Sequence, residues 1–421
     1  MKKILLSLLI CLLPWRAAAE NIRVSLARDQ QSVPLEAYAD FEMVNLDDGS
    51  SRIVEAGTYY LNERSGEIYL SDLRGGSRIQ INRKDGGSVP SLGHKRYNGK
   101  LVAFAKRGRV QVNNEVDLEF LVTSALPGKS SPIWPDEAIK AQAVAARSYA
   151  KYMKLLNREK DFDIEATDQE LPFNGLGEEK SIITKMVQAT RGQYLQDRDG
   201  MPAMAITTSS SGGRTESAVN VFGVSYSYLQ SVEDYDSDSP DFNWTYDASP
   251  VMVQNFLEQT GEVYLGKLTS ITLSPINEPG KDRTPSGRVQ SMQIRGSEGV
   301  ARVPISMLMT QLELKSSLFD VETGIPLPDK LDAPIYNYYG VEVGRKDIDI
   351  NWGNNRPKTW QGIRKGTHTL TGNKEERITF RGRGKGHGMG LSIWGARGMA
   401  NENFKYDAIL AHYYRNTKLI K

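Results

Sequence analysis

The spacing of apolar residues changes along this chain, and each change marks a different kind of structure. From residue 21 to about 125, apolar and polar positions alternate and β-branched and aromatic residues recur, as in Thr58-Tyr-Tyr-Leu61. Gly75-Gly76 and Asn98-Gly99 lie between these runs and are typical turn sequences. The pattern predicts a β-rich amino-terminal region over residues 20–95, with further strands up to about residue 125.

A helical period replaces the alternation after Trp134. Pro135 suits the first turn of a helix, where its missing N–H has no partner to lose. Apolar residues then recur at helical spacing and predict a buried stripe, at Ile139, Ala143, Ala146, Ala150 and Met153. The other side of this helix, which we expect to end near Leu156, is basic, with Lys140, Arg147, Lys151 and Lys154 and with Glu137 at its edge.

The remaining pattern predicts shorter elements. Helices are expected at 178–190, 306–318 and 406–414, and strands at 203–208 and within 268–302. Residues 325–378 lack a clear period and are interpreted as an inserted small β subdomain. The sequence therefore predicts an α+β fold, in which the β-rich region is followed by a mixed α/β domain over residues 96–421.

The first 19 residues have the pattern of an export signal. Lys2 and Lys3 precede an apolar run, Ile4–Leu13, that is too short to span a bilayer, and Ala17-Ala18-Ala19 follows as a cleavage site. The only cysteine, Cys11, lies in this segment, so the mature chain is predicted to contain no disulfide. We expect an exported protein of the periplasm or cell wall that is at most peripheral to a membrane.

Charge and motif content exclude several function classes. Of 421 residues, 53 are Lys or Arg and 51 are Asp or Glu, which leaves a net charge of +2 and disfavours a nucleic-acid partner. The run from Gly382 to Gly386 resembles a phosphate loop, but Gly-x-x-x-x-Gly-Lys-Ser/Thr is absent. The four histidines show no metal-binding spacing. The sequence thus predicts neither a cofactor nor a metal site.

Glu137 is the candidate catalytic residue. A carboxylate on the first turn of a helix, beside a basic stripe, can serve as general acid or base on a glycan. The alternative interpretation is a helix-end charge that matches the positive end of the helix dipole.

A run of hydroxyls and glycines from Thr207 to Ser217 is the candidate binding surface. Such a segment can both donate and accept hydrogen bonds, as the hydroxyls of a sugar require. Its candidate binding residues are Ser210, Ser211, Arg214 and Thr215. A nucleophilic Ser211 paired with His387 is a further hypothesis, although the Gly-x-Ser-x-Gly elbow is absent. The plainer alternative is a flexible surface loop.

His387 lies in a stretch where every second residue from Gly384 to Gly390 is glycine. Glycine is favoured where backbone turns tightly or approaches a partner closely. We therefore expect His387 to lie on a tight turn held against another part of the molecule, as a binding residue or as a structural histidine. The segment from Tyr226 to Asp247, rich in carboxylates and aromatic rings, either contacts sugar or forms a solvated loop.

Taken in order, four blocks resemble the SpoIID/LytB domain family of exported or cell-envelope bacterial proteins. The blocks are Trp134–Tyr149, Ser209–Glu216 with Tyr228–Val232, Ser286–Val289, and Gly384–Ala396 with His412–Tyr414. The resemblance implies that the substrate is peptidoglycan, in the form of glycan strands stripped of their stem peptides. It also implies lytic transglycosylase chemistry, in which a carboxyl group protonates the leaving oxygen and a 1,6-anhydro ring closes without water.

The chain departs from the family where the catalytic acid is expected. Family members usually carry Ser-Glu-Met-Pro before the Trp-Pro helix, and here Lys129 stands at the aligned position. A lysine is a poor proton donor near neutral pH unless its pKa falls by several units. The glutamine usual before the last tryptophan is replaced by Ile393.

Two hypotheses follow. In the first, the protein is a lytic transglycosylase with Glu137 as the acid, and its glycan groove is lined by Lys140, Arg147, Ser210, Ser211, Arg214, Thr215 and His387. In the second, it is a non-catalytic module that binds glycan strands and localises or stimulates a separate cell-wall amidase.

Overall fold

The computed structural model describes most of the chain between residues 20 and 421. The described ranges are 20–84, 89–126, 134–166, 171–173, 175, 181–259, 263–276, 278–325, 330–349 and 366–421. The predicted signal segment and Lys129 lie outside these ranges. The chain divides into two compact units, of which the first comprises residues 1–131 and 146–192 and the second comprises residues 132–145 and 193–421.

The first unit is built mainly from strands. Its elements, in chain order and including a helix that continues from the second unit, are β1 (Asn21–Gln30), β2 (Ser32–Ala37), β3 (Phe41–Asn45), β4 (Ser51–Val54), β5 (Gly57–Arg64), β6 (Glu67–Leu70), β7 (Leu73–Gly76), β8 (Arg78–Arg83), β9 (Ser91–Leu92), β10 (Lys100–Lys106), β11 (Arg109–Asp117), α1 (Leu118–Ala125), α2 (Asp136–Leu156), β12 (Ile164–Glu165) and α3 (Ser181–Ala189). Two sheets result, in the orders β12-β1-β11-β10-β8-β3-β4 and β7-β6-β5-β2-β9.

Alternation of apolar side chains explains how these strands form a core. Val24, Ile81, Leu101 and Val112 are fully buried on adjacent strands, as expected when one face of a sheet packs inward. Strands β10 and β11 pair with β8 and β1, so strands from both sides of residue 95 share one sheet. The domain boundary placed there from the sequence stays a prediction.

Helix α2 has nearly the bounds that its pattern predicts, since it begins at Asp136 and ends at Leu156. Ile139, Ala143, Ala146 and Ala150 are buried, while Met153 is only partly buried. The small side chains let neighbouring backbone pack closely against this helix. Among the described helices, none is both long and apolar enough to span a membrane.

The second unit combines several small sheets with short helices. Its elements are β13 (Tyr194–Gln196), β14 (Thr207–Thr208), α4 (Ala218–Phe222), β15 (Trp244–Ala248), α5 (Pro250–Gln259), β16 (Leu268–Thr272), β17 (Ser291–Gly296), β18 (Val300–Pro304), α6 (Ile305–Leu312), β19 (Phe319–Gly324), β20 (Lys330–Tyr336), β21 (Glu342–Asp349), β22 (Thr367–Thr369), β23 (Arg377–Gly382), β24 (Leu391–Ser392), α7 (Ile393–Asn401), α8 (Tyr406–Tyr413) and β25 (Lys418–Ile420). Sheets form in the orders β15-β23-β19 and β18-β17-β16-β22, and β13-β25, β14-β24 and β20-β21 pair separately.

One hydrophobic core holds the two larger sheets of this unit together with α5 and α6. Phe319, Phe380, Ile271 and Ile294 are fully buried there, and Leu308 of α6 joins them. Several expected elements are shorter than predicted. The helix expected at 306–318 ends at Leu312, because Glu313 adopts a left-handed conformation. Only Thr207–Thr208 of the strand expected at 203–208 pairs with another strand.

The α+β fold class predicted from the sequence is confirmed. Each unit contains helices together with strands, and most described strand pairs are antiparallel. Within residues 325–378, the described part contains the β20–β21 hairpin, β22 and the first residues of β23. Residues 326–329 and 350–365 lie outside the description, so the inserted subdomain stays a prediction.

Candidate functional site

In the second unit, the hydroxyl-rich loop of residues 207–217, called the serine loop below, lies against the glycine–histidine loop of residues 384–390. Strands β14 and β24 pair in parallel, and Ser210 and Lys385 exchange backbone hydrogen bonds of 3.2 and 2.8 Å. A Cβ added to Gly390 would lie 2.0 Å from the carbonyl oxygen of Ile206, and Gly390 has a φ of +66°. Such close approach requires glycine, so the glycines hold His387 on a tight turn against the serine loop.

Two carboxylates hold the serine loop, those of the fully buried Asp236 and the partly buried Asp234. Ser210 Oγ donates to Asp236 at 2.5 Å, and the N–H groups of Gly212 and Gly213 donate to the same carboxylate. Ser211 Oγ donates to Asp234 at 2.5 Å. Both serines are fully buried. Their hydroxyls are therefore engaged inside the protein, and Ser211 donates to Asp234 as a structural partner.

The Asp234 carboxyl is shared with the carboxyl-terminal helix. Tyr413 Oη donates to it at 2.5 Å. Burial raises the pKa of Asp234, the nearby charge of Asp236 raises it further, and hydrogen bonds from Ser211, Tyr413 and Ser392 oppose the rise. This network fixes the serine loop to α8 and explains why an acidic segment follows the loop in sequence.

A second buried cluster supports the glycine–histidine loop. Arg288 is almost fully buried, donates to the carbonyl of Ser211 at 2.8 Å, and its pKa is lowered to about 10 because burial penalises the charge. Glu216, also buried, accepts from Thr284 Oγ1 at 2.6 Å and from Ser286 Oγ. The Ser286–Val289 block thus has a structural role beneath the loop.

His387 is only partly buried and is held by backbone. Its Nδ1 accepts from the N–H of Met389 at 3.0 Å. Burial and the adjacent Arg288 charge lower its pKa to about 4, although a hydrogen bond to the backbone of Thr207 opposes the shift. His387 is therefore neutral near pH 7, and its ring is held by backbone groups on both sides, those of Met389 and Thr207.

The other predicted binding residues of the loop differ in exposure. Thr215 is buried, and its hydroxyl bonds both backbone groups of Val232. Arg214 is exposed and lies 3.9 Å from Glu233. Within the hydroxyl-rich loop, Arg214 is the predicted binding residue with a side chain open to solvent.

Glu137 and Lys140 form a local ion pair. Lys140 Nζ donates to Glu137 Oε1 at 2.7 Å, and the N–H of Tyr406, at the start of α8, donates to Oε2 at 2.9 Å. Burial raises the pKa of Glu137, but these hydrogen bonds and the charges of Lys140 and Lys405 outweigh it, so the pKa is lowered. Both oxygens are occupied by donors from within the unit.

Arg147 belongs to the first unit and has no exposed surface. Its Nε and Nη2 donate to the two carboxylate oxygens of Glu119 at 2.9 and 2.7 Å. This bidentate pair engages the Arg147 guanidinium inside the protein, and the glycan contact expected from the basic face of α2 stays a prediction.

An aromatic cluster at the start of α7 was not singled out from the sequence. The rings of Trp134 and Trp394 lie 5.2 Å apart, and the guanidinium of Arg397 stacks over Trp394 at 5.1 Å. The backbone N–H of Trp394 donates to the backbone carbonyl of Ser209 at 3.1 Å, which ties the cluster to the serine loop. Trp134 Nε1 and Arg397 Nε have no hydrogen-bond partner among the described residues. We call Trp134, Trp394 and Arg397 the tryptophan platform.

The tryptophan platform has the composition of a carbohydrate-contacting surface. The partly exposed aromatic rings supply a flat apolar face, and the guanidinium of Arg397, which also lies 3.7 Å from Asp238, stacks beside it. Both tryptophans lie inside the motif blocks quoted above, which was the signal available in the sequence. Among the described residues, no group of three or more histidine, cysteine or carboxylate side chains could hold a metal ion.

Comparison with known proteins gives a family match for part of the chain and several relatives. A family model described as SpoIID, stage II sporulation protein, matches residues 106–196. An uncharacterized protein of Brachyspira hyodysenteriae is 28% identical over 325 residues, covering 77% of this chain and 72% of that protein.

Two relatives come from Bacillus subtilis. Its amidase enhancer is 25% identical over 390 residues, which cover 87% of this chain and 50% of that protein, so the chain spans about half the length of this relative. Its stage II sporulation protein D is 25% identical over 317 residues, 71% of this chain and 72% of that protein. The matched domain and the two relatives named for amidase enhancement and stage II sporulation support membership of the SpoIID family.

Proposed function

We propose that this protein is an exported cell-wall protein that binds peptidoglycan glycan strands through the tryptophan platform, and that binding rather than cleavage is its activity. Family membership and the names of the relatives support a cell-wall role. The observation on which the proposal rests is the pairing of Trp134 and Trp394 at 5.2 Å, with Arg397 stacked beside them.

The state of Glu137 supports binding over cleavage. A general acid works best when its pKa lies near the operating pH, whereas the pKa of Glu137 is lowered by its ion pair with Lys140 and by the N–H of Tyr406. The family's acid position offers no substitute. Whether the Ser-Glu-Met-Pro motif is aligned on Lys129 or on Ser124-Ala125-Leu126-Pro127, the position holds no carboxyl group.

The amidase enhancer relative supports a partner of the kind that the sequence suggested. A strand-bound module can raise the local concentration of a separate enzyme without any chemistry of its own. We include a cell-wall amidase in the proposal as the protein that this module would localise or stimulate.

Co-sedimentation with denuded glycan strands tests the binding proposal. Wild-type mature protein should sediment with the strands, and Trp394→Ala should weaken binding by about tenfold or more, since aromatic contacts of this type account for most of the energy of such sites. Arg397→Gln provides a second variant that keeps the aromatic pair. Tyr338→Ala removes a fully exposed aromatic side chain elsewhere in the same unit and should bind as wild type does. Equal sedimentation of all four proteins would refute the platform.

The second candidate is a lytic transglycosylase with Glu137 as the acid. It is favoured by the partial exposure of the Glu137 carboxylate and by its position three residues after Trp134. Mass spectrometry of strands incubated with the protein separates the two candidates. 1,6-Anhydro ends that vanish in Glu137→Gln would establish the enzyme, and strands bound without new ends would support the binding module.

A further inference from the structure

The first unit contains a small polar pocket whose lining residues lie outside the motif blocks. Its volume is about 210 Å³, and it is bordered by β1, by the turn between β10 and β11 and by residues 161–162. This volume is smaller than the roughly 300–1,000 Å³ of pockets that bind drug-sized ligands. The pocket therefore has room for one small group or sugar unit, not for a polymer in cross-section.

Cations outnumber acids around this pocket. Arg28, Lys106 and Arg107 line it, against Asp29 and Asp161. Arg28 is paired with Glu165 and stacks on the ring of Phe162 at 5.0 Å. Lys106 is paired with Asp161.

Arg107 differs from the other two cations. Among the described residues it forms no ion pair and no side-chain hydrogen bond, so its guanidinium charge is available to a ligand. Asn113 and Gln111, both buried, also line the pocket, and their amides bond Asp161 and Asp29. The guanidinium of Arg107 favours a carboxylate as the ligand.

The backbone at Arg107 is an independent sign of function. β10 and β11 pair up to Lys106 and Arg109, so Arg107-Gly108 is a two-residue turn, with φ of +55° and +70°. Asn-Gly or Asp-Gly is the usual choice for such a turn, and an arginine there is strained. Asp29, across the pocket, is also left-handed, with a φ of +52°. Aspartate tolerates this conformation, so Arg107 is the strained residue at this cavity, and backbone strain at a cavity points to a ligand site.

We propose that this pocket binds a carboxylate-bearing sugar unit, with Arg107 as the residue that contacts the carboxylate. The inference rests on the proposed function, because glycan strands without stem peptides carry a free carboxylate on each muramic acid. The pocket would give the first unit a glycan contact of its own, separate from the tryptophan platform of the second unit.

Saturation-transfer NMR on the full mature chain tests this with two probes, N-acetylmuramic acid and the uncharged N-acetylglucosamine. The charged sugar should bind and the neutral sugar should not. Arg107→Asn should weaken binding by about tenfold, the loss of one charge-assisted hydrogen bond. Since asparagine suits the turn better than arginine, this variant should fold at least as well as wild type. Arg109→Asn, in the same hairpin but outside the pocket lining, is the matched control and should bind normally.

Several outcomes would overturn the inference. They are equal binding of the two sugars, unchanged binding by Arg107→Asn, and displacement of the sugar by an equal concentration of acetate, which would reduce the pocket to a simple anion site. The two proposals fail separately. Muramic acid binding that persists without any strand co-sedimentation would refute the tryptophan platform alone, and the reverse result would refute the pocket alone.

Discussion

Replacing Arg147 by methionine should destabilise the first unit and leave glycan binding intact. Methionine keeps much of the buried volume but removes the guanidinium. The N–H of Gly192, which donates to Glu119 Oε1 at 3.2 Å, is kept. Two hydrogen bonds to a charged group are lost, at 2.9 and 2.7 Å. Each contributes about 1.5–3 kcal/mol, and breaking a buried pair from one side costs about 3–5 kcal/mol. We expect a loss of about 3–4 kcal/mol.

Native-state hydrogen exchange, read by mass spectrometry, measures this loss where it occurs. Amides of β1 and β11 that exchange only through opening of the whole unit should exchange more than about 100-fold faster in Arg147→Met. The double variant Arg147→Met/Glu119→Gln removes both charges and should regain most of the lost stability, because no unpaired charge stays buried. Co-sedimentation with glycan strands should match wild type at temperatures where the variant is folded.

The opposite pattern would refute the structural assignment of Arg147. If Arg147→Met exchanged like wild type but bound strands at least tenfold more weakly, the arginine would belong to the glycan surface, as the basic face of α2 first indicated. Arg147→Lys adds a graded test, since lysine keeps the charge but cannot donate bidentately. Its stability should lie between those of wild type and Arg147→Met.

The remaining predictions concern the glycine–histidine loop. Because the folded pKa of His387, about 4, lies below the ordinary 6.5, its contribution to stability is complete above pH 6.5 and is lost as the pH falls toward 4. The loss of unfolding free energy is at most about 3 kcal/mol. Urea titrations of wild type and His387→Asn at several pH values across that range measure it. The difference between the two proteins cancels the titration of Asp234, which changes stability in the opposite direction. Gly388→Ala should cost about 3 kcal/mol or more, since its Cβ would lie 2.1 Å from Nη2 of Arg288, whereas Gly223→Ala, also left-handed but in open space, should cost only about 1 kcal/mol. Equal urea midpoints for the two alanine variants would contradict the packing described for Gly388.

The elements in which apolar residues recur at a regular spacing were predicted best from the sequence. The 21-residue α2 and the closing helix α8 differ by a residue or two from their expected bounds, because an apolar stripe at helical spacing is a local signal. The strand expected at 203–208 lacked such a signal. Its residues pair only where the distant β24 reaches them, and no local pattern specifies that partner.

The chemistry was harder to locate, for a physical reason. Hydroxyls, an arginine and a carboxylate look alike in sequence whether they face solvent or a buried partner. Ser210 and Ser211 are occupied by Asp236 and Asp234, and Arg147 is occupied by Glu119 in a preceding helix. Those partners lie 23 to 28 residues away, beyond the range of helix or strand periodicity.

Hydrogen–deuterium exchange of the full mature chain, with and without denuded glycan strands, tests the central claim most directly. If the tryptophan platform is the binding surface, amides of α7 from Trp394 onward and of the first turn of α2 should become protected, and Trp394→Ala should abolish that protection. Binding accompanied by protection elsewhere, with α7 and the start of α2 exchanging as in the free protein, would contradict the account.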